Sequence, residues 1–147
     1  MVIADIVAKS PPDGYALLVS GSPHWIGPLV EKTNYDPVRD FAPLTMLATS
    51  QNILVVHPSF AARSLKDMIA MAKERPGQIN YASGGTGQSS HLSMELLMHM
   101  AGIKMTHIPY KGAGPALADT LGGQVPLHFL ALAPAIPLIK ANRSEEH

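Results

Sequence analysis

Residues Ile79–Gly123 read INYASGGTGQSSHLSMELLMHMAGIKMTHIPYKGAGPALADTLGG. The order of signals is strand, small-residue loop, helix, strand, small-residue loop, helix. Ile79–Ser83 is a run of strand length, and it opens into Gly84–Gln88. Leu92, Leu96, Leu97 and Met100 follow on a helix that Ser89 or Ser90 is placed to cap and Gly102 to stop. Met105–Ile108 is the next strand, ended by Pro109. Tyr110–Gly114 is the second small-residue loop, with Pro115 at the start of a helix that Gly122-Gly123 ends. A helix N-terminus carries unpaired N–H groups and about half a positive charge. Two such loops on neighbouring parallel strands would converge on one anion, a carboxylate or a phosphate.

The flanking sequence extends the same pattern. Met1–Lys9 reads as a helix end halted by Pro11-Pro12, and Tyr15–Ser20 as a short strand running into Gly21-Ser22-Pro23. His24–Val30 reads as a short helix with Trp25, Ile26 and Leu29 turned inward. Ala42–Leu47 and Asn52–Val56 are further strand candidates. Leu65, Met68, Ile69 and Ala72 recur at helical spacing behind a Ser64 cap, with Asp67 in the first turn. Val125–Leu130 is a strand with Pro126 at its start, and Pro134–Lys140 a last helix. Strands alternating with helices at this spacing build βαβ units around a parallel sheet, whose ligands sit at the carboxyl ends of the strands. The loops after Ser20, Ser83, Tyr110 and Leu132 are expected at those ends.

Composition narrows the function. The 147 residues are enough for one domain or two small lobes. Only 15% are charged, against roughly 25% in an average soluble domain. Zero net charge and a pI near 7.1 argue against nucleic acid as a partner. The absence of cysteine excludes disulfides, thiolate chemistry and Cys-type zinc sites. Met1–Tyr15 does not read as a signal peptide, and no apolar run approaches the ~20 residues of a membrane span. No cofactor and no metal site are implied. His57, His99, His107 and His128 show no ligand spacing, and the eight methionines read as core filler.

Six motifs in order, PPDGYALL, YDPVRDFAPL, LVVHPS, INYASGGTGQSSHLSMELL, THIPYKGAGPAL and LGGQV, resemble the receptors of tripartite tricarboxylate transporters, the Bug proteins. The resemblance runs from about Ala8 to Asn142. It implies a type II periplasmic-binding-protein-like α/β fold, a parallel-rich sheet with flanking helices. The chain would hold part of lobe one (1–57), most of lobe two (58–142) and a polar tail (143–147). It implies a periplasmic solute receptor that closes on a dicarboxylate, a citrate-like acid or an aromatic acid and hands it to membrane permease subunits. Two departures stand out. Pro126 follows GGQV where the family commonly has Asp, and Leu130-Ala131 stand where an acidic residue is frequent. An acidic residue at the second place would suit an amino-group ligand, so its loss speaks against an amino acid. Family members are longer, so the first strand of lobe one and the strands returning to it are expected to be missing here. With so few charges, that predicts self-association as a homo-oligomer or swapped dimer.

The candidate ligand contacts are Ser83, Gly85, Thr86, Ser89 and Ser90 from lobe two, with Ser22 and His24 opposite. Each would donate hydrogen bonds to carboxylate oxygens. Lys111 has two readings, a carboxylate partner or a solvated lysine on a tight turn. The Ser83–His91 segment likewise has a plain reading as a capped strand-to-helix connection, and Gly21–His24 as a helix cap. A small esterase is the alternative from another class, since Ser89, Ser90, His91 and Asp119 supply the residue types. Against it, Ser90 and His91 are adjacent at a helix start and diverge, and no Gly-x-Ser-x-Gly elbow exists. A non-binding structural remnant is the third reading.

Overall fold

The computed structural model describes residues 2–140 and 145–146. The chain divides into two units, 1–49 and 50–147. The first holds helices α1 (Val2–Ala8) and α2 (Ser22–Val30) with turns and extended chain. On α1, Lys9 Nζ bonds Asp5 Oδ2 at 2.8 Å, one turn apart. Gly21 is the N-cap of α2, and Pro23 sits in its first turn, where a missing N–H costs nothing. The buried face of α2 is not the expected one. Trp25 and Leu29 are 51% and 82% exposed, whereas His24 and Gly27 face inward. The reason is aromatic packing: the His24 ring stacks on Tyr35 at 5.4 Å and meets Phe41 edge-on at 4.6 Å. Beside it, Asp36 Oδ1 accepts from the N–H groups of Val38 and Arg39. Those two bonds hold its carboxyl below the usual range.

Tyr15–Ser20 and Ala42–Leu47 are not strands. Both lie outside regular structure and are largely exposed. A strand needs a neighbour for its N–H and C=O groups, and neither segment finds one among the described residues.

The second unit is a five-stranded sheet. Its strands are β1 (Asn52–Val56), β2 (Asn80–Ser83), β3 (Thr106–Pro109), β4 (Leu127–Ala131) and β5 (Glu145–Glu146), in the order β3-β2-β4-β1-β5. β2 runs parallel to both β3 and β4, while β1 is antiparallel to β4 and β5. β1 therefore belongs to this sheet, although the expected boundary at 57 grouped it with the first lobe. Helices α3 (Leu65–Glu74) and α4 (Ser89–Ala101) join β1 to β2 and β2 to β3. Helices α5 (Ala113–Leu121) and α6 (Leu132–Lys140) lead to and from β4.

The strands are apolar on both faces because both faces are covered. On one face Leu54, Val56, Tyr81 and Leu127 pack with Met68 and Ala72 of α3 and Met94 of α4. On the other, Val55 and Leu130 pack with Ala135 of α6, and Ala82 with Ala116 of α5. α3 follows its sequence signal closely. Ser64 Oγ accepts from Asp67 N at 3.1 Å, and Met68 and Ala72 are buried. The cap of α4 is Gln88 rather than Ser89 or Ser90, and α5 begins at Ala113, which moves Pro115 to its third position. Pro126 sits just before β4, where its carbonyl accepts from His57 N at 2.9 Å.

Candidate functional site at the carboxyl edge of the parallel strands

β3, β2 and β4 run the same way, and each hands the chain to a helix at the same edge of the sheet. Two of these connections are bound together. Ser83 O accepts from Tyr110 N at 3.0 Å, and Gly84 O accepts from Gly112 N at 2.9 Å and Gln88 Nε2 at 3.0 Å. The approach needs glycine: a Cβ on Gly84 would stand 3.1 Å from Ala113 N and 3.2 Å from Gly112 C. Gly85 combines a φ of +138° with Tyr110 O at 3.3 Å from its would-be Cβ. The N-termini of α4 and α5 are thus set side by side.

The serine hydroxyls serve the loop itself. Ser83 is fully buried, and its Oγ lies 2.6 Å from His107 Nε2 and accepts from Gly85 N at 3.1 Å. Ser90 Oγ accepts from Gly84 N at 3.2 Å. Gly87 N donates to His91 Nδ1, and Gln88 N to Gly85 O. The N–H groups of Gly84, Gly85, Gly87 and Gln88 are therefore already engaged. The first N–H groups of the two helices, at Ser89, Ser90, Ala113 and Gly114, lack an intrahelical acceptor. The exposed side chains of Thr86, Ser89 and Lys111 lie around them. Of the sequence candidates in this unit, Ser83 and Ser90 turn inward as loop supports and Gly85 supplies shape. In the other unit, Ser22 is the first residue of α2, and His24 is enclosed by Tyr35, Phe41 and Trp25.

Beneath the loop lies a cluster that sequence reading passed over. His91 stacks on His107 at 4.2 Å, and His107 on Tyr81 at 5.0 Å. Tyr81 Oη donates to Glu95 Oε1 at 2.6 Å, and His91 Nε2 is 3.5 Å from the same oxygen. Burial, then the Glu95 bond, push the Tyr81 phenol well above its usual range. Burial and the nearby His91 ring hold His107 below the usual imidazole range. The only available signal was that Tyr81 and Ser83 alternate onto one face; His107 joins them through the register Tyr81↔His107.

The cluster also bears on esterase chemistry. Ser90 and His91 make separate bonds to Gly84 and Gly87, as divergent side chains should. Ser83 and His107 are a true serine–histidine pair. Its hydroxyl, however, is sealed from solvent and bonded to Gly85, and the local carboxylate serves Tyr81 and His91 instead. Among the described residues no group of three or more His, Cys, Asp or Glu could hold a metal ion, and no helix is long and apolar enough to cross a membrane.

The chain is similar to known proteins. Residues 1–144 match the family described as "Tripartite tricarboxylate transporter family receptor". Protein BugT of Bordetella pertussis is 40% identical over 124 residues, covering 82% of this chain and 38% of BugT. The structure of R. palustris Rpa4515 with adipate superposes with a TM-score of 0.88 at 37% identity, over 99% of this chain and 49% of that one. MatC (Rpa3494) from Rhodopseudomonas palustris with bound malate gives 0.83 at 27% identity, over 99% and 50%. The chain spans about half the length of these solved relatives and 38% of the curated one. The family consists of periplasmic solute-binding receptors and not of enzymes.

Proposed function

Because the chain belongs to the tripartite tricarboxylate transporter receptor family, we propose that it captures a small carboxylate, reversibly and without covalent chemistry, at the paired N-termini of α4 and α5. The observation that carries this reading is the bond from Gly112 N–H to Gly84 O, which holds the two termini together. A carboxylate placed there takes hydrogen bonds from the amides of Ser89 and Ser90 and from those of Ala113 and Gly114. It gains from both helix dipoles. Thr86 and Ser89 add hydroxyl donors, and Lys111 adds charge. Relatives holding adipate and malate support a dicarboxylate of that size. Delivery to membrane permease subunits and residence in the periplasm extend the family's role to this chain.

The test is calorimetry with adipate, malate and citrate on the wild type and on Ser89→Pro. Position 89 is the first helical residue, and Gln88 before it has φ −72° and ψ 160°, which a following proline accepts. The variant therefore keeps the fold and removes one amide donor. A charge-assisted hydrogen bond contributes about 1.5–3 kcal/mol, so affinity should fall at least about tenfold. Ser89→Ala, which removes the hydroxyl alone, should lose less. No heat with any of the three acids rejects capture by this chain.

One observation favours the structural-remnant reading: Tyr15, Leu17, Val19, Leu44, Met46 and Leu47 are all well exposed. On that reading the chain buries them by self-association. Light scattering would report a dimer or larger species, and a monomer at high concentration would refute it.

A further inference from the structure

We propose that a second ligand site lies at the amino edge of β2 and β4: a hollow of about 230 Å³ that takes a small one-ring aromatic carboxylate, with the ring against Phe60 and Met71 and the carboxylate on Arg75.

The hollow opens where a ladder stops. β2 and β4 pair at Tyr81↔Leu127 and Ala82↔His128. One residue before Leu127 stands Pro126, which has no N–H with which to extend the pairing toward Asn80. Side chains from other elements line the space instead. The buried and half-buried part of the lining is apolar: Phe60 from the turn after β1, Met71 from α3, and Ile79. The exposed part is polar: Arg75, Gln78 and Asn80. Backbone bonds fix these walls. His57 N–H donates to Pro126 O and Phe60 N–H to His57 O, both at 2.9 Å. Arg75 N–H donates to Met71 O at 3.0 Å, and Gln78 N–H to Arg75 O at 3.1 Å. A hollow held in this way is formed before its ligand arrives.

Size selects the guest. Sites for drug-sized ligands run from roughly 300 to 1,000 Å³, so this one holds a single ring with a short acidic arm. A phenyl ring and a thioether in the lining both favour an aromatic guest. Charge selects the other end. Among the described residues that line the hollow, Arg75 is the one ionisable group. Its side chain, like those of Gln78 and Asn80, has no hydrogen bond or ion pair among the described residues. Its guanidinium can therefore offer two parallel N–H donors to a carboxylate. The four residues of β2, at about 3.3 Å each, keep the hollow roughly 13 Å from the carboxyl edge. It shares no donor with the starts of α4 and α5.

The experiment is a titration of the 15N-labelled chain with phenylacetate, followed by NMR. The amides of Gln78, Ile79 and Asn80 should move together, with a Kd on the order of 1 mM for so small a site. Acetate has the charge without the ring and should bind about tenfold more weakly or worse. Cyclohexylacetate should also bind more weakly, and equal affinity would overturn the aromatic assignment. Arg75→Gln leaves the backbone bond to Met71 in place and should raise the Kd about fivefold or more. Lys73→Gln removes a charge from the same helix at a residue outside the lining, and should leave the Kd within about twofold. Unchanged binding by Arg75→Gln overturns the proposal. So do shifts confined to Ser89 and Gly114 at the other edge, or no shift at all. Binding of the peptide acetyl-Asp-Phe-Asp-amide at these amides, tighter than phenylacetate by about tenfold, would assign the hollow to a protein partner and reject the small acid. Shifts there that appear with rising protein concentration alone would assign it to a second copy and reject it equally.

Discussion

His128 sits at the centre of the sheet with 1% of its surface exposed and, among the described residues, no hydrogen-bond partner for Nδ1. Burial pushes its imidazole down to about 4. Between that value and the ordinary 6.5 the unfolded chain binds a proton that the folded chain refuses, so stability rises with pH across this window. The contribution is complete above pH 6.5 and lost as pH falls toward 4. A gap of this size corresponds to about 3 kcal/mol. His107, shifted the same way, adds to the trend. Urea unfolding at pH 7.5 and pH 4.5 should show the loss, and His128→Leu should flatten it, because an apolar side chain leaves no buried acceptor unpaired. An unchanged slope in that variant would refute the assignment. Single residues were also where sequence reading fell short. Ser83 and Ser90 have the chemistry of ligand donors, but glycine amides in a tight loop need acceptors first, and the nearest hydroxyls supply them. His24 looked like a donor at a helix start and is an aromatic packing residue, because Tyr35 and Phe41 fold back over it.

Among the elements, α3 was fully legible, since its apolar spacing and its serine cap are both local properties. Ser64→Ala should cost about 1 kcal/mol in chemical denaturation, and no loss would mean that the bond to Asp67 N contributes nothing. The pairing of the two glycine-rich connections was legible in kind, as neighbouring loops on parallel strands. Its tightness was not, because it depends on the register between β2 and β3. Gly84→Ala measures that tightness. Its methyl group would press on the backbone of Gly112 and Ala113 and should destabilise by about 1–3 kcal/mol, while weakening carboxylate binding by spreading the helix starts. Wild-type stability and affinity in this variant would show that the loops can part freely. Tyr15–Ser20 and Ala42–Leu47 mark the opposite case. Their composition suits strands, but strand formation is a property of pairs.

At the scale of the whole chain, the second unit holds the sheet and all three buried apolar clusters, and residues 42–51 are exposed and irregular. Limited proteolysis with chymotrypsin should cut first near Leu44–Leu47 and spare the strands from Asn52 onward. Early cleavage between β2 and β3 would contradict that order of stability. The parallel strands β2, β3 and β4 also have an effect beyond recognition. Their three helices begin at one edge of one sheet, so their positive poles stand together like magnets held the wrong way round. That crowding sets like partial charges beside one another. Dissolved salt would ease that repulsion by shielding the poles, and an anion held between them would ease it more.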